Sequence, residues 1–393
     1  MKKQILMKHL RYKILILFIL VSTTIIAQKQ VVYQKSYDVN KNSTLNLDIT
    51  NTTVGIEHST DGKIHFDYGL EFENYSKKEI KKIIDGINIK TTQIGDYINL
   101  EVNSDTKINR VDYSFKENIT LVYKPDSTEI NKKIDKKEYR KSKDSLLREI
   151  RSLGMSDLKK FFKRFSTKYN GNKEKKINTS DVKIKISRFS IKVPPNVNIK
   201  INGNSSQITF LNDVDSEVNI NLDRGFLRAK SLTNSLNQIN VKNAVFEAEK
   251  ITGTKYTLNN VSKCLIGEMS NTLLKTEVSR IEIGEVQQNV EFNDFNSEYF
   301  FYNYAPNFNK VSFIGQYSKV HFHESLLSYT LKVFGNNTVF HMGDKELKFG
   351  PKKDGLKSLM LEIKKQPEKK SSGNIDFDIV NGIMYVNILK DNE

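Results

Sequence analysis

Across residues 196–344 apolar and polar residues alternate in short runs, and the runs begin at nearly even steps. An apolar residue opens a run at Ile208, Leu227, Phe246, Leu265, Ile283, Phe301, Val320 and Val339, so the step is always 18 or 19 residues. A looser series, Val197, Val218, Ile239, Tyr256, Leu274, Val290, Val311 and Leu331, accompanies it. Period two predicts strands, and the larger period predicts a repeat array with two strand segments per unit. One unit cannot bury its apolar face alone. Stacked units can, each strand bonding to the next rung about 4.8 Å away. The expectation is a mainly β protein whose main part is a single-stranded β-solenoid of about 19 residues per coil, spanning residues 181–349.

The preceding part also reads as strand. In residues 28–127, Leu45, Leu47 and Ile49 alternate, and Asp61-Gly62 forms a hairpin turn pair. Ser76 and Glu79 make a capping box ahead of Ile80, Ile83 and Ile84, which predicts one short helix stopped at Asp85-Gly86. Over residues 128–180 the apolar period lengthens to between three and four. Leu146, Leu147, Ile150 and Leu153 form one stripe and Gly154 a stop. Leu158, Phe161, Phe162 and Phe165 form a second stripe, with Lys159, Lys160, Lys163 and Arg164 around it. This predicts a basic amphipathic helical hairpin inserted into the β framework. Pro194-Pro195 bends the chain into the array. Residues 350–393 read as a basic linker and a C-terminal β-hairpin cap, with Asn381-Gly382 as its two-residue turn.

Charge changes the picture less than its total suggests. The formal net charge is +16, but Lys2, Lys3, Lys8, Arg11 and Lys13 precede the apolar run 14–21 and the small residue Ala27. These are the three regions of a secretory signal peptide, residues 1–27, and the run is shorter than the ~20 residues a spanning helix needs. The expected location is exported, in the periplasm or at the cell surface, and not integral to a membrane after cleavage. Residues 131–176 hold 17 Lys and Arg against 6 Asp and Glu, which accounts for the remaining excess. The high pI therefore belongs to one segment and gives no reason to expect nucleic acid as a partner. Cys264 is the single cysteine, so no intramolecular disulfide can form, and its strand context suits a small core residue.

Candidate chemistry is sparse. His321 and His323 share one strand face near Glu324, with His341 as a conceivable third ligand. A 19-residue register, however, sets His341 beside Phe322 and His321 beside Phe340, so exposed strand histidines are expected and no metal. Asp213, Asp215 and Glu217 alternate at a corner but lack the glycine-rich nonapeptide of calcium-binding coils. The run Tyr299–Tyr304 carries rings on both strand faces. Tyr302 and Tyr304 are the expected exposed pair, with Tyr299 and Phe301 as the pair if the parity is reversed. The basic residues Lys159, Lys160, Lys163 and Arg164 complete the expected interaction surface, their apolar stripes packing on the framework, on an anionic surface or on a partner.

Two stretches resemble the bacterial putative-adhesin family. The run from Ser43 to Ile56 resembles its opening of strand, Asn-containing turn and strand. Phe189-Ser190-Ile191-Lys192-Val193-Pro194 followed by Val197, Ile199, Ile201 and Gly203 resembles its entry into the array. The resemblance implies an exported β-solenoid of undefined activity and supplies no catalytic residues. Together these readings point to a non-enzymatic, adhesin-like interaction protein of the cell envelope, without cofactor, whose partner is a protein, a glycan or an anionic envelope surface. The alternative is a β-helical polysaccharide-active enzyme, a lyase or hydrolase, which would need carboxylates and a basic residue converging on one face.

Overall fold

Alternating apolar residues become strands along most of the chain, and among the described residues one helix, Lys77–Asp85, interrupts them. The fold is mainly β. The computed structural model describes residues 28–115, 120–123, 165–169, 172–176, 182–325, 327–342, 345–349, 359–365 and 372–387. The expected signal peptide and most of the expected helical hairpin, including Lys159, Lys160, Lys163 and Arg164, lie outside the described residues. The chain divides into two compact units.

Of the described residues, the first unit comprises 28–32, 69–84, 109–115, 120–123, 165–169, 172–176 and 182–187. Its helix begins as its sequence dictates: Ser76 Oγ and the Ser76 amide both donate to Glu79, at 2.8 and 2.9 Å, closing the capping box. Glu79 also pairs with Lys183. Residues 182–186 run antiparallel to Val111–Phe115, with Lys185 Nζ 3.0 Å from Asp112. Thr120–Tyr123, Phe165–Tyr169 and Asn172–Lys176 form a separate antiparallel sheet. Phe165 therefore opens a strand and does not continue a helical stripe.

The second unit comprises residues 33–68, 85–108 and the described residues from 188 to 387, and its strands stack chiefly in parallel register. Gln207–Phe210 pairs residue for residue with 226–229, 225–229 with 244–248, and 245–248 with 263–266. The stack runs 97–104, 44–58, 198–214, 218–232, 238–251, 256–269, 272–286, 290–304, 310–323, 373–387 and 329–342. In-register stacking places Val54, Ile208, Leu227, Phe246, Cys264, Ile281, Tyr299, Val320, Met384 and Phe340 in one inward column, none more than 1% exposed. Each buried aliphatic or aromatic side chain in such a column contributes about 1.5–3 kcal/mol.

Two differences from the evenly stepped column are informative. Leu265 and Val339 face outward, and their inward neighbours Cys264 and Phe340 take the column positions. Ile283 and Phe301 are buried in the adjacent inward column with Phe210, Ala229, Ala248, Ile266, Phe322 and Val386. The real step varies because corners differ in length, and a one-residue slip reverses every side chain.

The expected C-terminal hairpin is the larger correction. Gly373–Val380 and Ile383–Asn387 do not pair with each other. They form one winding inserted between 310–323 and 329–342, parallel to both. Leu359–Lys365 and Lys345–Phe349 instead lie antiparallel on Tyr329–Asn336 and Thr338–Met342.

Each winding from 44–58 onward bends at a residue with positive φ: Asn51, Ser205, Arg224, Asn243, Asn260, Val278, Asn296, Tyr317, Asn337 and Asn381. Asparagine tolerates this left-handed conformation better than other non-glycine residues. Backbone bonds tie the corners together, as in Asn260 N to Glu277 O at 2.9 Å and Tyr317 N to Val380 O at 2.8 Å. Side chains add a second ladder: Asn260 Nδ2 donates to Asn243 Oδ1 at 2.7 Å, and Asn243 Nδ2 to Asp223 Oδ1 at 2.9 Å. At two of the bends the residue that follows is a serine whose hydroxyl accepts from the amide one winding away, Ser279 from Val261 and Ser297 from Ser279, each at 3.0 Å.

Gly225 occupies this position with φ +140°, and a Cβ there would lie 1.9 Å from the Ser206 carbonyl oxygen. Gly225→Ala should therefore cost about 2 to 4 kcal/mol. Urea unfolding should show the midpoint falling at unchanged slope; an unaltered midpoint would show that the corner can relax.

Candidate functional site

In-register stacking that aligns inward residues also aligns outward ones. On the face outside the second strand of each winding, Phe300, His321, Tyr385 and His341 occupy successive rungs of one column. Because the rungs are as close as stacked rings, the side chains lie face to face. Phe300 and His321 are 4.3 Å apart at 1°, His321 and Tyr385 4.9 Å at 10°, and Tyr385 and His341 4.7 Å at 6°. Arg280 covers the outer face of Phe300 at 4.3 Å. Beside this ladder Tyr302 and His323 form a shorter pair, 5.0 Å apart.

Ion pairs frame the ladder. Glu298 lies 2.8 Å from both Arg280 and Lys319 and 3.1 Å from His321 Nε2. Partial burial pulls the Glu298 pKa up, but hydrogen bonds from Lys319 and His321 and the two cations outweigh it, leaving the pKa below its usual range. His321 is shifted down: partial burial dominates and Lys319 adds to it, against the opposing hydrogen bond to Glu298. Tyr302 donates to Glu282 at 3.3 Å, and its phenol is shifted up by partial burial and by that carboxylate.

Of the residues expected from sequence at this face, Tyr302 is there, 45% exposed. Tyr304 is not, being 2% exposed inside the stack beside Phe308 and Phe322. Alternation breaks at Asn303, which shares exposure with Tyr302, so Tyr304 turns inward with Tyr299 and Phe301. His321 aligns with Tyr385, not Phe340, and His341 lies on the same outer column. Among the described residues no group of three or more His, Cys, Asp or Glu is placed to hold a metal ion. At the acidic corner, Asp213 pairs with Lys230 at 3.3 Å and Asp215 accepts from Thr233. Cys264 is fully enclosed, and burial pushes its thiol far up. Among the described residues no helix is long and apolar enough to cross a membrane.

Sequence reasoning missed Phe300 and Tyr385 as members of this face, yet a signal was present. Counted from the corner residues Asn296, Tyr317, Asn381 and Asn337, the ladder residues all lie four positions on. The corners, not the apolar starts, are the reliable ruler.

A second exposed cluster lies at the corners themselves. Val278 and Tyr317 stand where most windings have Asn, with φ of 48° and 59°, and are 48% and 50% exposed. Phe295 packs edge-on against Tyr317 at 5.7 Å. A β-branched or bulky residue in this conformation is strained and gains little burial here.

No protein-family model matches the chain, and no curated protein matches it. A solved structure described as a putative cell adhesion protein from Clostridium sporogenes aligns over 93% of this chain and 100% of its own, at 7% identity and a TM-score of 0.19. A likeness that slight bears on neither fold nor function.

Two outcomes follow from these environments. Because His321 prefers to be neutral when folded, stability rises with pH between its depressed pKa and the ordinary value near 6.5, and falls on acidification through that window. His321→Phe should keep the stack and flatten that part of the profile; chemical denaturation from pH 4 to 8 measures it, and an unchanged profile would discount His321. Val278→Asn and Tyr317→Asn should each stabilise by roughly 1 kcal/mol by relieving the left-handed penalty. Thermal melts would show the gain, and a loss would mean the side chains make contacts worth more than the strain.

Proposed function

We propose that the chain is an exported, non-enzymatic interaction protein of the cell envelope, adhesin-like, built as a β-solenoid whose outer aromatic ladder is the contact face. The observation that carries this reading is the column Phe300–His321–Tyr385–His341 with Tyr302 beside it. Rings held flat against their neighbours have little freedom left to lose, so contact with a partner costs little ordering entropy. Aromatic residues with polar tips supply large contact area and hydrogen bonds together, which suits a glycan or a protein surface. Arg280, Lys319 and Glu298 form a charged margin beside them.

Five carboxylates among the described residues favour binding over catalysis. Asp61, Glu79, Asp223, Glu247 and Glu298 all have lowered pKa values, each held by hydrogen bonds or cations. A glycosidase acid needs the opposite, a carboxyl kept protonated. Glu247 shows the pattern: burial raises its pKa, and Arg228 and Lys263 more than reverse that.

Binding of the purified protein to the producing cell's envelope fraction tests the proposal. Tyr302→Ala and Tyr385→Ala should each weaken the bound signal by about tenfold, the usual loss for a central aromatic anchor. Full binding by both variants, at unchanged melting temperature, would remove the ladder as the contact face.

A further inference from the structure

At the other end of the second unit the outward surface of the first-strand face has a different chemistry. Five strands, Ile87–Ile94, Tyr97–Ser104, Thr44–Thr50, Asn198–Val214 and Val218–Leu232, lie side by side in that order. Their outward side chains line a trough of about 470 Å³ over a floor containing Leu47, Leu100 and Ile201. That volume is within the range of ligand sites, and five strands at about 4.8 Å give a length of roughly 19 Å.

Five asparagines, Asn46, Asn99, Asn202, Asn219 and Asn221, are the commonest residue type in the lining. Asn46 Nδ2 donates to Asn99 Oδ1 at 2.8 Å, and Asn99 Nδ2 to Thr92 Oγ1 at 3.4 Å. On the other side Asn221 Nδ2 donates to Asn202 Oδ1 at 3.4 Å. An amide has two N–H groups and two lone pairs, and a ladder bond uses one of each at most. The ladder thus orients each amide while leaving further donor and acceptor capacity at the solvent side. Lys90 and Lys200 are matched by Asp48 and Glu101, so the lining carries no net charge. Tyr97 shares the outward face of its strand with Asn99 and Glu101 and is 52% exposed, a ring available for stacking.

We infer that this trough binds an extended, neutral, hydroxyl-rich chain, a polysaccharide segment of about four sugar units lying across the strands. Paired donors and acceptors repeated at each rung match vicinal hydroxyls repeated along such a chain. Zero net charge disfavours an anionic polymer, whose binding needs an uncompensated basic surface. Added peptide strands are excluded on the trough floor, because each of its three middle strands is already paired on both sides. The site is separate from the aromatic ladder and does not depend on it.

The test is calorimetric titration of the purified protein with cellohexaose, xylohexaose, maltohexaose and chitohexaose, their trimers, and a sulfated polysaccharide. At least one hexamer should bind, more tightly than its trimer and almost independently of salt. Asn202→Ala with Asn221→Ala should weaken it by about tenfold, two neutral hydrogen bonds' worth. Asn221→Asp, which keeps shape and acceptors but loses the donors, should also weaken it, and Ile314→Ala, an exposed position outside both the trough and the ladder, should leave it unchanged. Binding by no hexamer, equal binding by all variants, or a preference for the sulfated chain with steep salt dependence would overturn the inference. Loss in Tyr385→Ala alone would assign the sugar to the ladder instead.

Discussion

Everything in the second unit depends on one constraint: neighbouring windings must meet in parallel register, and they can do so only if each bends at the same place. The left-handed corner satisfies that demand locally. Asn51, Asn243, Asn260, Asn296, Asn337 and Asn381 adopt it at little cost, and their amides and backbone then bond to the adjacent corner. Once corners align, inward residues fall into columns and outward residues into rows. Core, aromatic ladder and amide trough are three consequences of the same alignment.

Much of this was legible in the pattern of residues. Alternation located strands such as those holding Leu45–Ile49 and Ile208, and the recurrence of about 19 residues announced segments that pair in parallel. What alternation cannot reveal is the identity of a strand's neighbour. Leu265 and Cys264 are both apolar, and only the register with Phe246 shows that Cys264 points inward. Asn381-Gly382 has the composition of a tight hairpin turn, yet it is the same corner as Asn337-Thr338, with its neighbours drawn from far along the chain. Which residues face outward at the candidate site was legible in part for the same reason. Tyr302 was found by its parity, Tyr304 misassigned by a break in parity, and Tyr385 missed because its rung is out of sequence order.

The two outward surfaces show how one scaffold supports different chemistries. Where the outward positions are Asn, Lys, Asp and Glu, hydrogen-bonding groups repeat at each rung and charges cancel. Where they are Phe, His and Tyr, rings stack and present an amphipathic surface bordered by ion pairs. Neither surface needs a flexible loop, because strands paired on both sides hold the side chains in place. The outward chemistry can then change by substitution at single positions without disturbing the columns beneath.

The winding 373–387 sits between two windings that both precede it in the chain. A stack assembled from its earlier residues would therefore hold an open slot, with two unsatisfied strand edges facing each other, until the later segment arrives. Closing it joins positions some fifty residues apart along the chain and completes both edges in one event, so this end of the molecule behaves as a latch rather than as a growing tip. A matching segment from another molecule would fit the same slot, which makes the interval before closure the moment at which two chains could become interlocked.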